Sequence, residues 1–399
     1  GTGGSVATSQ LGALNVARTF DLGTNSFDGR RYHTYGSTDQ LGAASSSQGT
    51  NTLTPAGSDG TILFNSTNAA TFTVPANITW TQSFSSTTNP GSGHIVNDGS
   101  GAVVIQGNLT SGASGNRNWY LEGTNGGTNT ISGIISNGSS NTVGVIKEGA
   151  GTWRLSGVNT YTGTTTIQNG ILELSGGAAI ADGAGVNVSG DGADGIYSGV
   201  AKLRVVNTET IATLTGDVLT EAEILAGQTL ILTGGSSTMN GLITGGGGLT
   251  RTVSGGTAGT LSTSDKNTYA GITTLGATGS ATANAGITVW HLADGGLASG
   301  LGTSSNAAAN LVFTADAAGD NGGILTWQGF NNHSTDRLFT MGLGVAGARI
   351  NASGTLLGLD QPALTFSNTG AIAFTGSGAR TLTLGGSGLV DNTFRPAIT

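Results

Sequence analysis

The stretch from Glu148 to Gly176 constrains the fold more than any other part of the chain. It is a series of very short β-prone runs separated by Gly and Asn turns. Trp153 and Leu155 share one face of the first run, Thr166 and Gln168 share a face of the second, and Ile171-Leu172-Glu173-Leu174 begins a third. None of these runs is long enough to bury a face alone. Such units become stable when copies stack and each covers the apolar side of its neighbour.

Degenerate copies are present. Asn159-Thr160-Tyr161-Thr162-Gly163 returns as Asn267-Thr268-Tyr269-Ala270-Gly271. The same displacement carries Thr130 to Thr238, Gly133 to Gly241, Ile135 to Ile243, Val145 to Val253, Gly151 to Gly259 and Thr152 to Thr260. A second register relates Gly115, Arg117, Leu121, Asn129, Thr130 and Ile135 to Gly378, Arg380, Leu384, Asn392, Thr393 and Ile398. The last segment therefore has the character of a lead-in to a further copy. That pattern suits either one section of a longer array or a subunit with an open end.

Gly149-Ala-Gly-Thr-Trp-Arg-Leu-Ser-Gly-Val-Asn-Thr-Tyr-Thr-Gly163 resembles the passenger-associated repeat of bacterial autotransporters, G-x-G-T-L-x-L-S-G-x-N-T-Y-T-G. The first copy departs from that pattern at Trp153, where the second has the expected Leu261. The runs Ser304 to Phe313, Ser334 to Phe339 and Gly376 to Leu384 are similar to segments of the same surface proteins. The resemblance covers 130–399 and implies a β-helical architecture, export and display at the cell surface. It implies little about chemistry, because one scaffold of this kind serves many tasks.

Composition agrees with a solenoid and removes several alternatives. Seventy-two of the 399 residues are glycine, more than twice the average share of about 7%, and only 9% are charged, against an average of about 25%. The glycines lack collagen's strict spacing. No apolar run reaches the roughly 18 residues of a membrane-spanning helix, and no series of long alternating strands of about ten residues suggests a membrane barrel. Fourteen Lys and Arg against 22 Asp and Glu leave a formal charge of −8, which argues against nucleic acid as a partner. Cysteine is absent; a continuous solenoid core dispenses with the disulfides that small secreted domains need.

Two regions are expected. Residues 1–60 read as an irregular N-terminal cap or assembly segment, and 61–399 as a β-solenoid with degenerate repeats at 130–176, 238–275 and 364–399. Strands are expected at 61–64, 70–74, 78–82 and 103–105, then in close succession from Lys202 to Thr244.

Candidate sites are few. Glu221 and Glu223, two apart, face one side of a strand, as a glycosidase or lyase groove would require; a solvated face is the plainer reading. Asp191 with Asp194, and Asp316 with Asp320, sit in Gly-rich loops without the repeated pattern of calcium-binding β-rolls. His33, His94, His291 and His333 show no metal spacing, and Gly342 to Gly347 matches a dinucleotide fingerprint only formally. Among Trp80, Trp119, Tyr120, Trp153, Tyr161, Trp290 and Trp327, the repeat positions Trp153 and Tyr161 read as core, and Trp290 with Trp327 as the pair exposed for stacking on sugars.

The sequence thus predicts a right-handed parallel β-helix, extracellular and on the bacterial surface, with a structural or adhesive role and no assigned catalytic, metal or cofactor residue. Expected partners are further copies end to end, or a longer array, and surface glycans. The rival readings are a carbohydrate-active enzyme, a polysaccharide lyase or glycoside hydrolase, and a glycan-binding adhesin on the same fold.

Overall fold

The computed structural model describes residues 92–111, 115–138, 142–190, 200–254, 258–278, 284–315, 322–342, 347–355, 361–376 and 378–399, with short strand segments between 20 and 80. Two compact units divide the chain, Gly1–Leu203 and Arg204–Thr399. Each is a parallel β-helix. The expected boundary near residue 60 falls where only short strand segments are described.

In the first unit one turn runs through Gly93–Asn97, Val103–Ile105 and Leu109–Ser111. The next opens with Arg117–Glu122, laid parallel on Gly93–Asn97 so that Trp119 sits beside Gly93 and Leu121 beside Ile95. Val143–Lys147, Thr165–Ile167 and Val186–Val188 extend the same ladder. Thr128–Ile131, Thr152–Leu155 and Gly170–Leu174 build a second wall on Val103–Ile105. Side-chain hydrogen bonds between neighbouring turns join residues 20 positions apart, as in Asn159 to Ala179, or 26, as in Asn125 to Gly99. These spans are the length of a turn.

The second unit repeats the plan. Glu209–Ile211, Thr229–Leu232, Gly248–Ser254, Thr273–Thr278 and Leu311–Ala315 form one wall. Leu214–Gly216, Ser237–Met239, Gly259–Thr263, Ala285–Val289, Gly323–Trp327 and Ala348–Ala352 form another. His333–Thr335, Leu364–Phe366 and Thr393–Phe394 add a short third wall. One helical turn, Ala308–Asn310, occurs among the described residues, and no helix there is long and apolar enough to cross a membrane.

Alternation sets the core. Gly93–Asn97 and Gly323–Trp327 each bury every second residue, as a strand facing a core on one side must. Ile95, Ile105, Leu121, Val145, Leu155 and Leu172 are fully buried. The strands expected at 61–64, 70–74, 78–82 and 103–105 appear as Gly60–Phe64, Phe72–Val74, Asn77–Trp80 and Val103–Ile105.

The two copies of the Asn-Thr-Tyr motif perform one structural task. Asn159 Oδ1 accepts the Ile135 amide at 2.7 Å, and Asn267 Oδ1 accepts the Ile243 amide at 2.9 Å. Ile135 in turn accepts from the amides of Thr160 and Tyr161, and Ile243 from those of Thr268 and Tyr269. Tyr161 and Tyr269 are buried, their hydroxyls 2.6 and 2.8 Å from Thr165 and Thr273. Burial pushes the Tyr269 phenol up to about 12. The motif therefore carries the chain across a corner where no regular ladder satisfies its backbone. Its last residue must be glycine: a Cβ on Gly163 would lie 2.5 Å from the Val143 carbonyl, and one on Gly271 2.4 Å from the Gly247 backbone.

Buried cations satisfy other corners. Lys147 Nζ donates to the carbonyls of Glu148, Gly149 and Asn169 at 2.5, 2.6 and 3.0 Å. Arg251 donates to Leu232, Thr252, Gly234 and Gly235 carbonyls, and Arg337 to those of Ala293, Gly302 and Ser304. Burial lowers Lys147 to about 7, against the opposing pull of Glu122 and Glu148, and lowers Arg251 to about 10.

Asn159→Ala leaves the Ile135 amide buried and unpaired, and is expected to cost about 1–3 kcal/mol in urea unfolding; Tyr161→Phe removes one hydroxyl bond and is expected to cost about 0.5–1.5 kcal/mol. Lys147 supplies a pH test. The unfolded chain holds this proton up to 10.5 and the folded chain only to about 7, so stability is lost as pH falls from 10.5 towards 7 and is flat below. Unfolding free energy is therefore expected to rise with pH between 7 and 9.5, and Lys147→Met to abolish that slope.

Candidate ligand-binding face

Outward-facing residues of the first unit form two short rows across successive turns. The strand register sets Tyr120 beside His94, Ile146 beside Tyr120, and Thr166 beside Ile146. The His94 ring stacks on Tyr120 at 4.4 Å and 10°, and its Nδ1 is hydrogen-bonded to Glu122 Oε1. In the second row Asn118 lies beside Gly144. A groove of about 420 Å³ lies there, edged by Asn118, Thr142, Ile146, Thr164 and Thr166. Among the described residues, the side chains of Asn118, Thr142, Thr164 and Thr166 have no hydrogen-bond partner. Sequence reasoning missed this groove; a glycine and an asparagine at outward strand positions were its only signal.

The second unit has a different surface, around the long connection between Ala285–Val289 and Leu311–Ala315. Trp290 stacks on Phe330 at 5.3 Å and 13°, and Phe330 is 43% exposed. Trp327, expected to be exposed with Trp290, is instead fully buried. The alternation in Gly323–Trp327 turns it inward, where its Nε1 donates to His333 Nδ1 at 3.0 Å. His333 Nδ1 also accepts the Leu292 amide, at 3.2 Å. His291 meets the His333 ring edge-on at 4.6 Å, with its own Nδ1 buried and unpaired. Burial, and then the neighbouring His291, lower the His333 pKa, with Asp265 opposing.

Glu221 and Glu223 are occupied in structural roles. Glu223 pairs with Arg204 at 2.7 Å and Glu221 accepts from Thr244 at 2.6 Å, so their shared face serves as a ladder between turns. Arg154 and Glu173 make the equivalent pair in the first unit. Asp336 accepts from Gly295 N and Asn306 Nδ2, and Asp294 accepts from Asp336 N. No group of three or more His, Asp or Glu able to hold a metal occurs among the described residues. Asp191, Asp194, Asp316, Asp320 and the side chains of His33 and Trp80 lie outside them, as does most of Gly342 to Gly347. Trp119, Trp153 and Tyr161 are core residues.

The His333 cluster carries a prediction whose sign follows from the lowered pKa. The unfolded histidine takes up its proton near 6.5 and the folded one only at lower pH, so the cluster is intact above 6.5 and loses stability as pH falls below it. Hydrogen-exchange protection of the Leu292 amide is expected to decline below pH 6.5, and His333→Phe to remove that dependence while costing about 1–3 kcal/mol for the orphaned Trp327 N–H.

Residues 145–174 match the family model of the passenger-associated-transport-repeat. Over 309 residues the chain is 32% identical to the adhesin BmaC autotransporter of Brucella suis biovar 1 (strain 1330), covering 68% of this chain and 8% of that protein. The chain thus spans under a tenth of its relative's length. No solved structure matches it. The matched repeat, within a likeness running through two thirds of the chain, identifies this protein as part of an autotransporter passenger, extracellular and displayed at the bacterial cell surface.

Proposed function

We propose that this segment is an adhesive section of the passenger, presenting the outer faces of its β-helix to ligands on another surface. The observation that carries the reading is the contrast between occupied and unoccupied polar groups. Glu173, Glu221 and Glu223 are spent on bonds between turns, and Asp294 and Asp336 on anchoring the long connection. The outward side chains around Gly144 are free to bond elsewhere. The name of the Brucella relative, an adhesin, supports the same reading.

The enzyme reading lacks a comparable foundation. A glycosidase needs two carboxyls about 5–9.5 Å apart flanking a substrate cleft, and the groove edged by Asn118, Thr142, Ile146, Thr164 and Thr166 has no carboxylate among its lining residues. End-to-end packing is a second reading. Leu384 and Leu389 are 51% and 90% exposed, and a hollow of about 320 Å³ lies against Leu364, Phe366, Leu384, Asn392 and Phe394. A further turn of the same kind laid there would cover them.

Beads coated with the purified chain are expected to bind cultured cells saturably. Absence of binding, together with release of reducing ends from polysaccharide, would overturn the adhesive reading. Electron microscopy of the same material tests the second reading through the presence of axial fibres.

A further inference from the structure

We propose that the groove over Gly144 is a subsite for a neutral, hydroxyl-rich saccharide; this rests on the adhesive reading and names its ligand. Outward threonines alone would carry no such inference, since β-branched residues are favoured in strands for their own sake. Gly144 and Asn118 are different. Glycine inside a strand costs about 0.5–1 kcal/mol relative to alanine, and asparagine is depleted from strands. Here the two stand side by side in neighbouring strands; Gly144 leaves room for the Thr164 carbonyl and for the Asn118 side chain, whereas the Asn118 amide itself has no partner in the ladder.

What they produce is an unpartnered asparagine amide held at the edge of a groove. A Cβ on Gly144 would lie 2.6 Å from Asn118 Oδ1 and 2.8 Å from the Thr164 carbonyl, so the glycine is what lets the Asn118 side chain lie across this strand. The groove, about 420 Å³, falls within the roughly 300–1,000 Å³ of ordinary small-ligand clefts.

The lining chemistry selects the ligand class. The Asn118 amide offers donors and an acceptor, and the hydroxyls of Thr142, Thr164 and Thr166 each offer both. Successive turns space such groups about 4.8 Å apart, the scale of one sugar ring, whose hydroxyls need donors and acceptors in alternation. Ile146 supplies an apolar patch for the ring's C–H face. The one cation among the lining residues, Arg117, is 4% exposed, and a chain of net charge −8 disfavours polyanions. A neutral saccharide fits both conditions.

The test uses the full chain on an array of neutral and sialylated oligosaccharides, including lactose, N-acetyllactosamine, mannobiose and maltose series, followed by titration of the bound sugars. At least one neutral class is expected to bind. Asn118→Ala and Thr164→Val are each expected to weaken it by about tenfold, the loss of one hydrogen bond, and Thr260→Val on the outer face of the second unit to leave it unchanged. Thermal melting checks the variants, and Thr166→Val replaces either one that fails to fold. Neutral-glycan binding that survives both variants overturns the proposal, as does binding confined to sialylated glycans. If no neutral glycan binds while coated beads still attach to cells, the saccharide assignment fails and adhesion stands; if the beads do not attach either, the adhesive reading has failed as well.

Discussion

The parallel backbone ladder between successive turns is the interaction on which everything else depends. It requires each turn to present its strands in register with the previous one, and it leaves the corners as the place where hydrogen bonding can fail. Backbone groups buried without partners are costly, about 1–3 kcal/mol each, and a chain with this many corners has to solve the problem repeatedly. Asn159 and Asn267 solve it with a side-chain oxygen, and Asn129 does so by accepting the Val103 amide and donating to the Thr152 carbonyl. Lys147, Arg251 and Arg337 solve it with buried cations directed at carbonyls. The scarcity of charge in the composition is therefore compatible with charged residues at the centre of the fold.

Much of the architecture was legible in the sequence because the copies repeat local patterns. The Asn-Thr-Tyr displacement predicted equivalent positions, and Ile135 and Ile243 do receive equivalent bonds. The function of the asparagine was not legible, since its partner lies 24 residues earlier in the chain. Nor was the burial of Lys147: its acceptors are brought together by a corner and by Asn169, on the following turn. Trp327 shows a third limit. In Ile324-Leu325-Thr326-Trp327 both faces carry apolar residues, so alternation alone does not say which points inward; the register against Ala285–Val289 decides it.

The candidate face was the least legible part, for a physical reason. A groove on a solenoid is made by residues one turn apart, here Asn118, Gly144 and Thr164. In a chain with 72 glycines Gly144 carries no weight until the register sets Asn118 beside it. Glu221 and Glu223, two apart on one strand, drew attention instead, and they proved to be ties between turns.

This division of labour follows from the fold. Inward positions are fixed by the ladder and the packing of the neighbouring turns, so a change there propagates along the stack. Outward positions are read two apart along a strand and one turn apart across it, a grid with spacings of about 6.8 and 4.8 Å. Replacing an outward residue disturbs neither the ladder nor the core, and surface substitutions of that kind usually shift stability by less than about 0.5 kcal/mol. A passenger can therefore change what it recognises without changing how it folds. On that grid an asparagine without a partner in the scaffold stands out, because a strand gains nothing from it.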